Sequence, residues 1–139
     1  MNPAKFFVAE PLLSGLAVRD AMHHGIVTCP PTASLREIAE LLSEHRVHCA
    51  VVADSAQGGT VWGIVSDLDL MRGLGSPVAL TAGNLAALEA VGVTPADDLG
   101  HAAQLMAEHD VAHLIVATDG NPVGILSTLD VARAVASAA

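Results

Sequence analysis

The chain carries one short phrase twice, GIVSDLD at 63–69 and GILSTLD at 124–130. A glycine there lets a neighbouring segment or a ligand approach the backbone closely. A serine at a helix start can join the free N–H groups of the first turn in holding a phosphate. An aspartate three residues later can accept hydrogen bonds from adjacent ribose hydroxyls. Ser66 with Asp69, and Ser127 with Asp130, are therefore candidate nucleotide-binding groups; the alternative is that they are ordinary helix caps.

The two phrases end the copies of a longer repeat. The segment LREIAELLSEHRV at 35–47 matches LGHAAQLMAEHDV at 99–111, and VTCPPTASL at 27–35 matches VGVTPADDL at 91–99. The first copy holds three extra residues, and they fall in the turn DSAQGGT, where added length costs little. The chain is thus two copies of a unit of roughly sixty residues. We place the copies at 12–74 and 82–137, with a linker at 75–81.

Each copy predicts the same order of elements, namely a short strand, a helix, a β-hairpin and a second helix. The helix after Ser34 has apolar residues at helical spacing, and Ser34 with Glu37 forms a capping box. Asp98 can cap the matching helix. Two β-branched runs separated by a Gly-containing turn follow in each copy and predict a hairpin. The fold class is α/β (α+β), with two β-α-β-β-α repeats packed sheet to sheet with pseudo-two-fold symmetry, since a single copy buries its sheet poorly.

Composition excludes several functions. Six Lys+Arg against fifteen Asp+Glu give a net charge of −9, which disfavours nucleic acid and anionic membrane as partners. No signal peptide or bilayer-spanning run is evident, so we expect a cytoplasmic protein with reduced thiols at Cys29 and Cys49. A redox pair of these two cysteines is the alternative. Nucleophile elbow, Walker loop and zinc-ligand spacing are all missing, so we predict neither an enzyme nor a metal site.

The whole pattern resembles a stand-alone pair of CBS domains, a Bateman module, over about residues 12–137. The resemblance rests on VRDAM at 18–22, VTCPPTASL, SEHRVHCAVV at 43–52 and both copies of the phrase. Two features depart from it: the strands read CAVV and LIVA where the family often has LPVV, and the second copy lacks a VRDAM-like opening. The resemblance implies a non-catalytic regulatory module that binds AMP, ATP, NAD or S-adenosylmethionine in the cleft between the repeats. With so few basic residues, AMP-like or adenosyl ligands are favoured over ATP.

The resemblance also implies which residues form two ligand sites, each combining the phrase of one copy with the strand entrances of the other. One site takes Ser127, Asp130, Thr28, Val47, His48 and Cys49. The other takes Ser66, Asp69, Gly92, Val111, Ala112 and His113. Val47 or Val111 would cover the adenine. Arg72 and Arg133, one helical turn after the aspartates, would contact phosphate or pair with the aspartates instead.

The two sites are expected to differ in strength. Asp67 follows Ser66 and would repel a phosphate, whereas Thr128 follows Ser127 and leaves that helix start open to anions. We therefore expect the Asp130 site to bind a phosphorylated ligand more strongly.

Assembly can also be predicted from the resemblance. We expect a homodimer, formed through the helices containing MRGL and ARAVASAA, and an unidentified regulated protein is a further candidate partner. A structural dimerisation or interaction module without a ligand is the alternative function.

Overall fold

The computed structural model describes residues 10–55, 59–86 and 92–138. Its mixed α/β architecture confirms the predicted fold class, and the order strand, helix, hairpin, helix occurs twice. No helix of these residues is long and apolar enough to span a bilayer. The elements are α1 (Glu10–Leu13), a 3₁₀ turn (Val18–Asp20), β1 (His23–His24), β2 (Thr28–Cys29), α2 (Leu35–His45), β3 (Cys49–Asp54), β4 (Thr60–Ser66), α3 (Asp67–Leu74), α4 (Ala82–Leu85), β5 (Gly92–Val93), α5 (Leu99–His109), β6 (His113–Thr118), β7 (Asn121–Ser127) and α6 (Thr128–Ser137).

The chain divides into two compact units. The first, here called the Asp69 unit, comprises the described residues of 26–86 and has a three-stranded sheet in the order β2-β3-β4. Strand β2 is parallel to β3, and β3 and β4 form the predicted hairpin. The predicted capping box of α2 is confirmed: the Glu37 N–H donates to Ser34 Oγ at 3.1 Å, and the Ser34 N–H donates to Glu37 Oε1 at 3.4 Å. Ile38 and Leu42 turn from this helix into the core of the unit.

The second unit, here called the Asp130 unit, comprises the described residues of 10–25 and 92–138. Its sheet has the order β1-β7-β6-β5. The β6–β7 hairpin turns through Asp119 and Gly120, whose φ angles of 51° and 80° suit a tight two-residue turn. Five residues join β3 to β4, so the three extra residues of the first copy lie in its hairpin connection, as predicted. Asp98 caps α5 by accepting from the His101 N–H at 3.1 Å.

The units do not follow the sequence repeats. The segment 10–25 lies at the start of the first repeat but packs on the second, where the Val18 N–H donates to Asp97 O at 2.8 Å. Helix α4 opens the second repeat but packs on the first, where the Ala82 N–H donates to Ala33 O at 2.9 Å. Each unit therefore contains a segment of the other repeat, which the sequence did not predict. The repeat limits 12–74 and 82–137 stay a prediction.

The glycine of the second phrase is required by the approach of β1. Strand β1 runs antiparallel to β7, with His24 opposite Gly124. A Cβ atom at Gly124 would collide with the carbonyl oxygen of His23 and with Cε of Met22. For this copy, the predicted close approach of a neighbouring segment is confirmed.

Candidate functional site

Both phrases form the same helix start. Ser66 is the last residue of β4 and the N-cap of α3, and Ser127 has the same place between β7 and α6. Each serine Oγ accepts from the N–H of the aspartate three residues later, at 3.2 Å for Asp69 and 3.1 Å for Asp130. Each aspartate Oδ2 accepts from the serine N–H at 2.8 Å. Both copies are thus reciprocal caps, which leaves Oδ1 of each carboxylate to other partners.

The Asp130 carboxylate is enclosed by its own chain. Its side chain is 2% exposed. His23 Nδ1 lies 3.1 Å from Oδ1 and 3.2 Å from Oδ2, and Arg133 Nη1 lies 3.9 Å from Oδ1. Because an ionised carboxylate only accepts hydrogen bonds, this geometry requires the proton of a neutral His23 to be on Nδ1. Oδ1 of Asp130 is therefore already occupied by a histidine.

The Asp69 carboxylate is more accessible. Its side chain is 22% exposed, and Oδ1 lies 3.5 Å from Nη1 of the exposed Arg72. Oδ2 also accepts from Ser66 Oγ at 2.9 Å. The histidine of this helix start is His48, whose Nδ1 lies 2.8 Å from Asp67 Oδ2 and not on Asp69. Protonated His48 would offset part of the negative charge that Asp67 adds to the turn.

A cavity of about 680 Å³ lies beside Asp130, within the Asp130 unit. This volume is in the range of small-molecule sites. Its wall combines charged and polar groups with apolar ones, and it includes residues of α1, the 3₁₀ turn, α5 and α6. The lining residues are Leu12, Ser14, Leu16, Asp20, Ala21, Met22, His23, Leu99, Asp130, Arg133, Ala134, Ser137 and Ala138.

Two of the predicted strand-entrance residues of the Asp69 unit, His48 and Cys49, lie close to the phrase of their own copy. Cys49 is opposite Ser66 in the β3–β4 ladder, and the carbonyl of His48 accepts from the Asp67 N–H at 2.8 Å. Thr28 is opposite Val51 in the β2–β3 pair. Val47 is half-buried and follows the left-handed C-cap Arg46 of α2.

The Asp130 unit repeats this arrangement. His113 is opposite Ser127, and the carbonyl of Ala112 accepts from the Thr128 N–H at 3.0 Å. Val111 is half-buried after the end of α5, and Gly92 is opposite Ile115 in the β5–β6 pair. The predicted grouping of each phrase with the entrances of the other copy stays a prediction.

Sequence reasoning missed His23 as a partner of Asp130. The contact joins residues 107 positions apart and depends on the pairing of β1 with β7. Gly124 indicated that a neighbouring segment or a ligand packs closely against this strand, but nothing in the sequence identified β1 as that segment.

The redox hypothesis for Cys29 and Cys49 is wrong for this fold. Both are buried thiols. Cys29 is opposite Val52, three residues along β3 from Cys49, which separates them by roughly 10 Å along the strand. A disulfide needs Cα atoms within about 7 Å. Burial, and to a smaller extent the charge of Glu37, raise the pKa of the Cys29 thiol, so it stays protonated at neutral pH.

The histidines and carboxylates do not gather into a metal site in the part of the chain that the structure describes. No group of three or more His, Cys, Asp or Glu side chains there could hold an ion.

Two β-α-β-β-α repeats, each with a Ser-x-x-Asp start to its last helix, define a tandem pair of small α/β domains. The CBS domain family matches residues 18–76 and 84–137, and the chain belongs to this family. The CBS domain-containing protein YhcV of Bacillus subtilis is 28% identical over 119 residues, which are 84% of this chain and 83% of YhcV.

Two solved structures show the same fold. CBSX2 in complex with AMP is 29% identical with a TM-score of 0.71, over 86% of this chain and 96% of that one. The CBS domain protein PAE2072 of Pyrobaculum aerophilum, complexed with AMP, is 25% identical with a TM-score of 0.74, over 88% of this chain and 100% of that one. CBS domain pairs are regulatory modules and are generally non-catalytic.

Proposed function

We propose that this protein is a regulatory module without catalytic activity of its own that binds an adenosine-type ligand, AMP-like or adenosyl, at its Ser-x-x-Asp helix starts. The observation that carries the proposal is the geometry common to Ser66–Asp69 and Ser127–Asp130, in which the cap uses Oδ2 and leaves Oδ1 for another donor. The AMP complexes of CBSX2 and PAE2072 support an adenosine ligand.

Each part of such a ligand has a matching group. The aspartate Oδ1 suits the ribose hydroxyls, because a carboxylate can accept from both at once. Most first-turn N–H groups already donate to the serine hydroxyls or to the carbonyls of His48 and Ala112, so the phosphate is left mainly to the arginines. Arg72 and Arg133 have exposed side chains 3.5 Å and 3.9 Å from their aspartates, and each can turn from its aspartate to a phosphate. Val47 and Val111 are proposed to contact the adenine, as the family resemblance implies.

The other site residues are also proposed from the family resemblance. They are Thr28, His48 and Cys49 for the ligand held by Ser127 and Asp130, and Ala112 and His113 for the ligand held by Ser66 and Asp69. The ligand classes to be compared are AMP, ATP, NAD and S-adenosylmethionine.

The ranking of the two helix starts is reversed in this proposal. The sequence favoured Asp130, because Asp67 adds negative charge beside Ser66. In the structure His48 pairs with Asp67, while Asp130 is 2% exposed and holds His23. We therefore propose that Asp69 is the more accessible ribose acceptor.

The experiment is thermal melting with and without each ligand. Ligand at ~100 times Kd should stabilise the fold by roughly 2.7 kcal/mol. The control is the double variant Asp69→Asn/Asp130→Asn, in which an amide oxygen can still accept the serine N–H while the carboxylate charge is lost. A shift in the wild type that disappears in the double variant supports the proposal. Melting curves that no ligand moves contradict it.

The alternative of a ligand-free dimerisation module has one observation in its favour. Leu68, Met71 and Leu74 on α3 are exposed large apolar side chains, and an exposed apolar stripe suits a contact between copies. We propose a homodimer with an isologous interface whether or not a ligand binds. Sedimentation that shows only a 14.1 kDa species at micromolar concentration would contradict the dimer.

A further inference from the structure

His23 lies on the Asp130 carboxylate and in the wall of the cavity beside it. Nδ1 lies between the two carboxylate oxygens, 3.1 Å from one and 3.2 Å from the other. The imidazole is 66% exposed, whereas the carboxylate is almost completely buried. An exposed side chain therefore covers the oxygens of a buried one.

The position of His23 is the one that a ribose would need. In the proposed function a vicinal diol donates to the Asp130 carboxylate, whose Oδ2 already accepts from the Ser127 N–H. The remaining acceptor capacity is what His23 uses. A diol and His23 therefore compete for the same lone pairs.

His23 can leave this position while the strand that carries it stays in place. The backbone of β1 is fixed by its pairing with β7, and the Gly25 N–H donates to Val123 O at 2.8 Å. The cavity of about 680 Å³ beside the imidazole also contains Asp20, Asp130 and Arg133 in its wall. A rotated imidazole therefore has solvent and polar groups with which to form hydrogen bonds.

The other helix start has a different residue at the matching place. The offset of 64 residues that relates 27–35 to 91–99 aligns His23 with Ala87, which has no side-chain donor. Ala87 lies outside the described residues. Within the described chain, no histidine pairs with Asp69, and the Asp69 carboxylate is more exposed than that of Asp130.

We propose that His23 is a gating residue for the Asp130 helix start: it occupies the ribose-binding oxygens, and a diol ligand binds there only by displacing it. This inference rests on the proposed function, because it requires a ribose at this carboxylate. His23 lies outside the phrase, and it makes the affinity of the Asp130 helix start for a diol ligand lower than that of the Asp69 helix start.

The test isolates the Asp130 start in an Asp69→Asn background and measures AMP binding by calorimetry. His23→Ala introduces the residue type of the matching position, Ala87. It should raise the affinity for AMP by about tenfold, which corresponds to one hydrogen bond to a charged group. His23→Asn keeps a short side-chain donor and should stay within about threefold of the parent, by the same conversion. Asp130→Asn added to His23→Ala should abolish the gain.

A ligand comparison separates gating from a general loosening of the unit. The gain in His23→Ala should occur with AMP and be missing with 2′,3′-dideoxy-AMP, which has no diol. If His23→Ala binds AMP no more tightly than its parent, or gains equally for both ligands, the gating proposal is overturned while the proposed function stands. If no variant and no wild-type protein binds AMP, adenosine or S-adenosylmethionine, both are overturned.

Discussion

Two helix starts with the same seven-residue pattern have different environments. In the Asp69 unit the carboxylate is partly exposed and adjoins one arginine. In the Asp130 unit the carboxylate is buried and covered by His23, which comes from the start of the first repeat. The caps themselves are alike to within 0.1 Å in their Ser–Asp distances. A repeated motif thus fixes the local geometry, and the segment packed against it decides whether the functional group is available.

The largest expected difference in folding stability is at Gly124, because β1 packs closely against this residue. Gly124→Ala should destabilise the fold by about 3 kcal/mol, because the new Cβ meets the His23 backbone, which cannot move without breaking the β1–β7 pairing. Denaturant unfolding measures this. The control is Gly92→Ala in the same unit, where the Cβ would lie at an ordinary 3.6 Å from Ile115 O. Equal losses in the two variants would mean that the close approach of β1 is not what requires the glycine.

The buried carboxylate should also matter more to stability than the exposed one. Asp130→Ala removes the cap acceptor and the partner of His23, and should cost about 2 kcal/mol. Asp69→Ala removes a cap at a more exposed position and should cost about 1 kcal/mol. Urea unfolding of the two variants without ligand checks the order, and a larger loss for Asp69→Ala would contradict the description of Asp130 as the enclosed group.

The helices that follow the two phrases should differ in dimer formation. Met71 on α3 is a large exposed apolar residue, and its match at the offset of 61 between the phrases is the small Ala132 on α6. Met71→Glu should weaken the proposed dimer by about tenfold, roughly 1.4 kcal/mol, because a charge would be buried in the contact. Ala132→Glu is the matched control and should have a smaller effect. Sedimentation equilibrium measures both, and a dimer that only Ala132→Glu weakens would place the interface on α6.

The smallest expected difference is in the pH dependence of folding stability, at Cys29. The matching residue in the Asp130 unit is Val93. Burial raises the pKa of the Cys29 thiol above its ordinary 9.0, so the folded state binds the proton more tightly than the unfolded state. This contribution to stability is complete below about pH 9 and is lost as the pH rises through the folded pKa. Over about one pH unit above 9 the loss should be under about 1 kcal/mol. Cys29→Val should show a flatter stability profile in this range, and an equally steep one would assign the loss to another group.

Much of the fold could be predicted because its signals are local. Ser34 and Glu37 are three residues apart, and their capping box needs only one helical turn. The length of each hairpin connection is a count of residues along the chain. The helix starts at Ser66 and Ser127 follow from the change from strand pattern to helix pattern, and the structure has both where the sequence placed them.

The candidate site was only partly predictable. The phrases identify Asp69 and Asp130 as capping acceptors, and the structure confirms that geometry. Their exposure depends on groups from elsewhere in the chain, and a repeat gives no sign of a difference between its copies. The redox hypothesis failed for the same kind of reason. Two cysteines at strand entrances look close in sequence pattern, but the parallel register of β2 and β3 places Cys29 opposite Val52.

The sequence by itself determined the two repeats, the order of their elements, their caps and turns, and the Ser-x-x-Asp groups, because each depends on residues within a turn or a strand of one another. Only the tertiary structure decided that 10–25 packs on the second repeat and α4 on the first. It alone brought His23 to a carboxylate 107 residues away. The physical reason is that strand pairing uses backbone groups that every residue has, so a two-residue strand such as β1 carries almost no information about its partner until the packed unit selects it.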